Sequence, residues 1–320
     1  MPMPLPGGFS FRPATVADAH LWARLKSTDP RLAYDPMIER DSWDQVPPGV
    51  LRERHVIQEG GIPIGTAGVW RAPRTEGEPQ FVNVAADFVD GHETEELRDA
   101  AWEVIEARAR ELGAGVITSS CLDHEAARRA YLEARAYLLD RSGIISGLEI
   151  GAEPERFLEM TRAAEARMAA AGIELTTLDR VTDRIREVYE VMVESETDIP
   201  TTAPIAHESF EQFSEQVGKP WIGTPRMWVA LESGRPVGLS WLSYHPTTGN
   251  VFTDMTGVAR AVRGRGVATA LKLKTIEQAL AAGVGTILTQ NDADSAAILK
   301  INRAFGYRPL REQLLYRKPA

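Results

Sequence analysis

The sequence predicts an α+β fold built twice: two tandem copies of one domain, each a mixed, mostly antiparallel central sheet flanked by helices. Three observations carry this reading. The first is a repeat at a nearly constant distance. "EGGIPIG" (Glu59 to Gly65) parallels "ESGRPVG" (Glu232 to Gly238), 173 residues on. "GAGVITSSCLDHEAARRAYLEARAY" (Gly113 to Tyr137) runs without gaps against "GVGTILTQNDADSAAILKINRAFGY" (Gly283 to Tyr307), 170 residues on. Gly113, Gly115, Ile117, Ala126, Ala127, Ala134 and Tyr137 each meet an identical residue. The spacing far exceeds the ~20–50 residues of solenoid repeats. The second observation is a hairpin in each copy with glycine at its turn, which points to antiparallel pairing. The third is a helical recurrence after the fourth strand, in which Val267, Leu271, Ile276 and Leu280 share one face.

Each copy opens on a strand ("FSFRPA"; "IELTTL") and continues into one or two helices carrying Leu21, Leu25, Ile185 and Val188. A hairpin follows ("RHVIQEGGIPIGTAGVW"; "RMWVALESGRPVGLSWLS"), then a fourth strand ("QFVNVAADFV"; "NVFTDMTGV") and a long helix. A fifth strand, a short helix and a closing strand, "REQLLYRK" in the second copy, complete the unit. The expected boundaries are 1–150 for the first domain, 151–171 for a helical connector and 172–320 for the second domain. In the connector, Phe157, Met160, Ala164 and Met168 form an apolar stripe between Pro154 and Gly172, read as the surface that docks the domains.

A chain of 320 residues with 43% apolar and 25% charged residues suits a soluble protein of two ordinary domains. A net charge of −9 argues against nucleic acid or an anionic membrane as a general partner. The single cysteine, Cys121, excludes an internal disulfide and reads as a small buried hydrophobe. The opening "MPMPLPGGFSF" lacks a signal-peptide core, and no apolar run approaches membrane-spanning length. The expected location is cytoplasmic, as a monomer or homodimer, and no metal site is expected.

Against this acidic background, "TGVARAVRGRGVATALKLKTIEQA" (Thr256 to Ala279) sets Arg260, Arg263 and Arg265 around Gly264 and Gly266 at the mouth of a helix. A helix N-terminus offers unpaired N–H groups and a partial positive charge. Preceded by glycine, those groups close around a pyrophosphate, and arginines add charge-assisted contacts. The G-x-x-x-x-G-K-[ST] loop is absent. "GRGVAT" also lacks the third glycine of a dinucleotide fingerprint and follows the wrong strand for one.

Arg263-Gly264-Arg265-Gly266-Val267-Ala268 fits the pattern [QR]-x-x-G-x-[GA], and with the surrounding element order residues 172–320 resemble the GNAT (Gcn5-related) N-acetyltransferases. The resemblance implies acetyl-CoA as acetyl donor. Backbone N–H groups of Gly264, Arg265, Gly266, Val267, Ala268 and Thr269 would hold its pyrophosphate, with Arg260 and Arg263 beside them. Its pantetheine arm would pair along Met255, Thr256 and Val258. Asn291, Ser295 and Asn302 fall where that family contacts CoA, and Ser295 also reads as a helix cap.

The 170-residue offset carries Arg260, Arg263, Arg265 and Gly266 onto Asp90, Glu93, Glu95 and Glu96. Acids there would repel a diphosphate, so the first copy is expected to keep the fold as a scaffold without binding CoA in the family manner. His92 in that run reads as a solvated loop residue.

Acetyl transfer to an amine needs a neutral amine. A lysine-like amine lies ~3 pH units from neutrality at pH 7.4, about 4 kcal/mol, so a base matters more than an acid. Asp254 on the fourth strand is the candidate base, with Val84 at the matching place in the first copy. Asp198, Glu194 and Glu196 could attract a cationic amine, and His245 is a secondary base candidate. Many family members carry a tyrosine acid where this chain has Asn302. Tyr307 reads as a core aromatic repeated by Tyr137, and Tyr316 is a further acid candidate. The implied function is acetyl transfer to a primary amine of a small molecule or peptide. The alternative is a CoA-responsive sensor without turnover, and nucleotide binding is a third, weaker reading.

Overall fold

The computed structural model describes Met3–Pro4 and residues 8–320. Part of the opening segment read for a signal peptide therefore lies outside the described residues. In chain order the elements are β1 (Met3–Pro4), β2 (Phe9–Pro13), α1 (Ala19–Lys26), α2 (Pro36–Asp41), β3 (Leu51–Glu59), β4 (Ile62–Arg71), β5 (Phe81–Phe88), α3 (Glu95–Glu111), β6 (Val116–Leu122), α4 (Ala126–Ala134) and β7 (Leu138–Glu149). There follow α5 (Pro154–Ala170), β8 (Ile173–Thr177), α6 (Ile185–Thr197), α7 (Phe210–Gln216), β9 (Trp228–Glu232), β10 (Arg235–Tyr244), β11 (Val251–Val258), α8 (Val267–Ala281), β12 (Thr286–Asp292), α9 (Ala296–Phe305) and β13 (Arg308–Pro319). β5 and β11, and β6 and β12, share their bounds after the 170-residue shift, so the gap-free alignment of β6 with β12 extends upstream to β5 and β11.

The chain forms two compact units. One holds residues 1–142, 201–206 and 313–320; the other holds 143–200 and 207–312. In the first unit β2, β3, β4 and β5 are antiparallel neighbours, and β6 joins β5 in parallel. Val82, Val84, Leu97, Trp102, Ile105, Ile117 and Tyr137 are buried between that sheet and α3 and α4. In the second unit β8, β9, β10 and β11 are antiparallel and β12 joins β11 in parallel. Its core has two parts, one around α5 and α8 and one around α6 and α7.

Two expectations are corrected. The strand "REQLLYRK" does not close the second copy: Gln313–Pro319 pairs antiparallel with β6, and Leu314 and Tyr316 enter the core of the first unit. Reciprocally, residues 143–149 of β7 pair antiparallel with β12, and Leu148 and Ile150 enter the core of the second unit. The closing strands are thus exchanged between the copies. Nor is the α5 stripe a docking surface, because Phe157, Ala164 and Met168 are buried with Leu271, Leu273 and Ile276 of α8 inside the second unit. Its 3.6-residue period was legible in the sequence, but the period does not say which apolar face it meets.

Candidate functional site

Strand β11 leads straight into the glycine–arginine turn. Gly264 (φ +79°) and Gly266 (φ +88°) both take left-handed backbone conformations, which side chains with a Cβ rarely adopt. Gly266 is the N-cap of α8 and supplies no side-chain oxygen to the first turn. Val267 is buried in the core, so only its backbone faces the turn, followed by half-buried Ala268 and Thr269. In the first unit Thr94 occupies the N-cap of α3 and its hydroxyl accepts from the N–H of Leu97 at 3.2 Å. That N-terminus is closed by its own side chain, whereas the one on α8 has no side-chain cap. Both the preceding strands and the helix C-termini keep the 170-residue offset, so Glu96 still corresponds to Gly266, but α3 begins two residues earlier in its frame than α8, with Thr94 as its N-cap.

The three arginines are held by carboxylates. Asp198 at the end of α6 accepts from Arg260 at 2.9 and 2.7 Å and lies 2.6 Å from Arg263. These hydrogen bonds lower its pKa to about 2. Glu194 accepts from the backbone N–H of Arg260 at 2.9 Å, Arg265 pairs with Glu232 at 2.8 Å, and Arg263 Nε donates to the carbonyl of Val258 at 2.9 Å. Asp198 and Glu194, read from sequence as possible amine attractors, are therefore spent on the turn. Arg167 of α5 was not anticipated: a methyl placed on Gly266 would lie 3.7 Å from its Nη1.

Asp254 owes its position to a bulge. Trp241 faces Met255 and Leu242 faces Thr253, so Asp254 is the extra residue between them. A bulge of this kind re-aims a side chain out of the regular alternation. The carboxylate accepts from Trp241 Nε1 at 3.2 Å. It keeps exposed surface, yet dense protein around it raises its pKa to about 6 by desolvation, which the Trp241 bond only partly offsets. In the first unit the equivalent register, Gly65↔Phe88 to Arg71↔Val82, is unbroken, and Val84 is fully buried opposite Val69.

Glu208 is the second acid near Asp254, and sequence reasoning did not single it out. Burial raises its pKa to about 7, and repulsion from Glu196 and Asp254 adds to the shift. Its carbonyl accepts from the Tyr189 hydroxyl at 2.7 Å, and its carboxylate lies 2.9 Å from the Gln216 amide nitrogen. Glu196 is engaged by His207 Nδ1 at 2.8 Å. One signal in the sequence could have found Glu208: it immediately precedes Ser209, whose capping box with Gln212 starts α7 and fixes the loop. Because both acids are more easily protonated in the folded chain than unfolded, each costs stability once pH rises through its folded pKa. Glu208→Gln is therefore expected to raise the melting temperature at pH 8 and to change it little at pH 4, as a pH series of thermal melts would show.

The remaining predicted positions fall on neighbouring elements. β11 and β12 pair only at Phe252↔Leu288 and then diverge, leaving the β11 backbone from Asp254 to Val258 open on that side. Met255 is buried towards α6 and α7, and the Thr256 hydroxyl bonds Ser240 Oγ at 2.8 Å. Asn291 and Asn302 are brought together, with Asn302 Nδ2 donating to Asn291 Oδ1 at 2.7 Å. Asn302 is 3% exposed and its Oδ1 has no partner among the described residues. Ser295 stands at the start of α9, but its hydroxyl makes no capping bond; instead Asp292 Oδ1 accepts from the N–H of Asp294 at 2.8 Å. His245 stacks on Phe252 with centroids 5.1 Å apart. Tyr307 and Tyr137 are both core residues as read, and the Tyr316 hydroxyl is bonded to Glu133 in the first unit. Among the described residues no cluster of His, Cys, Asp or Glu is arranged to hold a metal ion, and no helix is long and apolar enough to cross a membrane.

A glycine turn opening an uncapped helix, splayed parallel strands and an orphaned buried amide oxygen together fit a ligand with a diphosphate and an extended polar arm, as acetyl-CoA has. Residues 185–307 match the family described as Acetyltransferase (GNAT), so the second copy carries a GNAT acetyltransferase domain. The chain as a whole is a tandem pair of GNAT-like folds. It is similar to a tandem GNAT protein from the clavulanic acid biosynthesis pathway (20% identity, 97% of this chain and 98% of that one, TM-score 0.71). It is similar too to a GCN5-related N-acetyltransferase from Sphaerobacter thermophilus (19%, 99% and 97%, TM-score 0.66). A third likeness is to a fungal multi-domain β-N-acetylglucosaminidase with a GCN5-related glucosamine N-acetyltransferase region (13%, 99% and 38%, TM-score 0.67). No curated protein matches the sequence.

Proposed function

We propose that the second unit transfers an acetyl group from acetyl-CoA to a primary amine, with the first unit as a scaffold. The observation that carries this reading is that one strand, β11, presents a desolvated carboxylate at its bulge and runs directly into the glycine–arginine turn. Acetyl-CoA supplies an acetyl group already activated as a thioester. The backbone N–H groups from Gly264 to Thr269 would bind its diphosphate, and the open edge of β11 from Met255 to Val258 would orient its arm. Arg260, Arg263 and Arg265 would add charge once released from their carboxylates. Asn302 and Asn291 would hold a polar group of the same arm, and Ser295 would border it.

The Asp254 carboxylate, whose Oδ2 already accepts from Trp241, would take the proton of the incoming ammonium on Oδ1. A carboxylate with a pKa near 6 is a stronger base than an ordinary aspartate and is still mostly ionised at neutral pH. Glu208 would favour the cationic form of the acceptor as it arrives. Release of thiol from acetyl-CoA across a panel of amines tests the assignment; no release with any amine would reject it. Asp254→Asn is expected to lower kcat about a hundredfold, the modest end of general-base effects. It should also remove the fall in wild-type rate below pH 6, leaving a rate that rises steadily with the free-amine fraction. A pH–rate profile that is the same in both proteins would exclude Asp254 as the base.

A CoA-responsive sensor is the second reading, favoured by the buried Asn302 where the family often has an acid. Tight CoA binding without turnover would select it.

A further inference from the structure

The first unit has lost the glycine turn but carries a different cluster on the sheet face that corresponds to the Asp254 surface. Arg52 and Arg54 of β3 lie on one face, with Trp70 opposite Arg52 and Gly68 opposite Arg54 on β4. Gly68 makes room for the Trp22 ring of α1, whose edge would lie 3.3 Å from a methyl at that position. Lys26, at the end of the same helix, reaches over Trp22 (5.7 Å) and Tyr34 (5.4 Å). Arg52 lies over Trp70 (5.3 Å), and Arg54 over Trp43 (4.0 Å) and Trp22 (5.7 Å).

The charges here do not balance. Glu39 is the carboxylate in contact with the group, 3.2 Å from Arg54 and 4.0 Å from Lys26, while Asp44 and Asp87 act on Arg54 and Lys26 from farther away. Arg54 also donates to the carbonyl of Trp43 at 2.7 Å, so it is fully engaged in structure. Asp87 is taken by Arg128. Arg52 is left without a carboxylate, and its Nε is buried with no partner among the described residues. Burial lowers the pKa of Lys26, with repulsion from Arg54 and Arg52 adding to it and Glu39 and Asp87 only partly offsetting it, and burial lowers that of Arg52 against a smaller pull from Glu39. A half-buried, unpaired guanidinium is costly unless something complements it. The rings next to these cations remain open, Tyr34 at 47% and Trp70 at 42% exposure. The opposite charge marks the corresponding surface of the second unit, where Glu196, Glu208 and Asp254 gather.

We propose that this face of the first unit is a second ligand site, taking a small anion with a flat apolar body. Arg52 and Lys26 bind its acidic group, and the exposed rings of Tyr34 and Trp70 receive its apolar part. A planar guanidinium fork beside an ammonium suits a carboxylate or a phosphate monoester. The site is independent of acetyl transfer, since none of its residues belongs to the turn or to β11.

The test uses the full chain with benzoate, phenyl phosphate and benzylamine as probes, followed by calorimetry and by thermal melting. Benzoate or phenyl phosphate should bind and raise the melting temperature, and the arm that binds more tightly identifies the acidic group. Benzylamine should not bind at this site. Arg52→Gln should weaken the anion at least tenfold while itself raising the melting temperature of the unliganded protein, because it removes an unpaired buried charge. Lys26→Met should weaken the anion similarly without loss of fold. Absence of binding by both anions up to millimolar concentration, or affinity unchanged in Arg52→Gln, would overturn the proposal.

Discussion

A fragment holding residues 172–320 should fail to fold, although the sequence repeat marks it out as one copy. It lacks residues 143–149, so β12 would present an unpaired antiparallel edge along Thr286–Asp292. It also lacks Leu148, Ile150, Phe157 and Met168, each at most 3% exposed in the core of the second unit. Burying such side chains contributes about 1.5–3 kcal/mol each. Four of them together rival the whole stability of a domain, about 5–15 kcal/mol. A fragment from 143 to 312 restores both the strand and these core residues. Circular dichroism should show a cooperative melt for 143–312 and none for 172–320. Equal, cooperative melting of the two would mean that the exchanged strand and α5 contribute little.

Gly266→Glu should abolish CoA binding while leaving the protein folded. Two effects combine. The residue has φ +88°, so any side chain strains the backbone, at about 1–2 kcal/mol. A carboxylate at the mouth of α8 also repels a diphosphate, on the order of 1 kcal/mol or more per charge at surface dielectric, and occupies the N–H groups the ligand would use. Gly266→Ala separates the two, since it imposes the strain without the charge. Both variants should lose a few degrees of melting temperature. The alanine variant should keep measurable affinity for CoA, and the glutamate variant should lose more than a hundredfold in titration calorimetry. Unchanged affinity in Gly266→Glu would remove the turn as the diphosphate site.

Much of the candidate site was legible because its signals are local. Two glycines that need positive φ, three arginines and the helix that follows lie within a short run of chain, and the fold places them as that run suggests. Glu208 was not legible as a partner of Asp254, because the two are brought together only when the loop before α7 folds towards β11. Likewise, nothing in the sequence around Arg260 or Arg263 says that Asp198 will hold them, since the pairing depends on where α6 ends.

The sequence by itself determined the duplication, the order of strands and helices in each copy, and the loss of the glycine turn from the first. These follow from residue identity, spacing and periodicity, which act within a few residues of one another. Only the tertiary structure decided which sheet each closing strand enters. Both strands descend from the same repeat and carry similar alternation, so either could pair with β6 or β12 on local grounds. It also decided that Asp254 falls in a bulge: a one-residue shift between β10 and β11 is set by how two strands meet, and that shift turns a strand aspartate into a desolvated carboxylate.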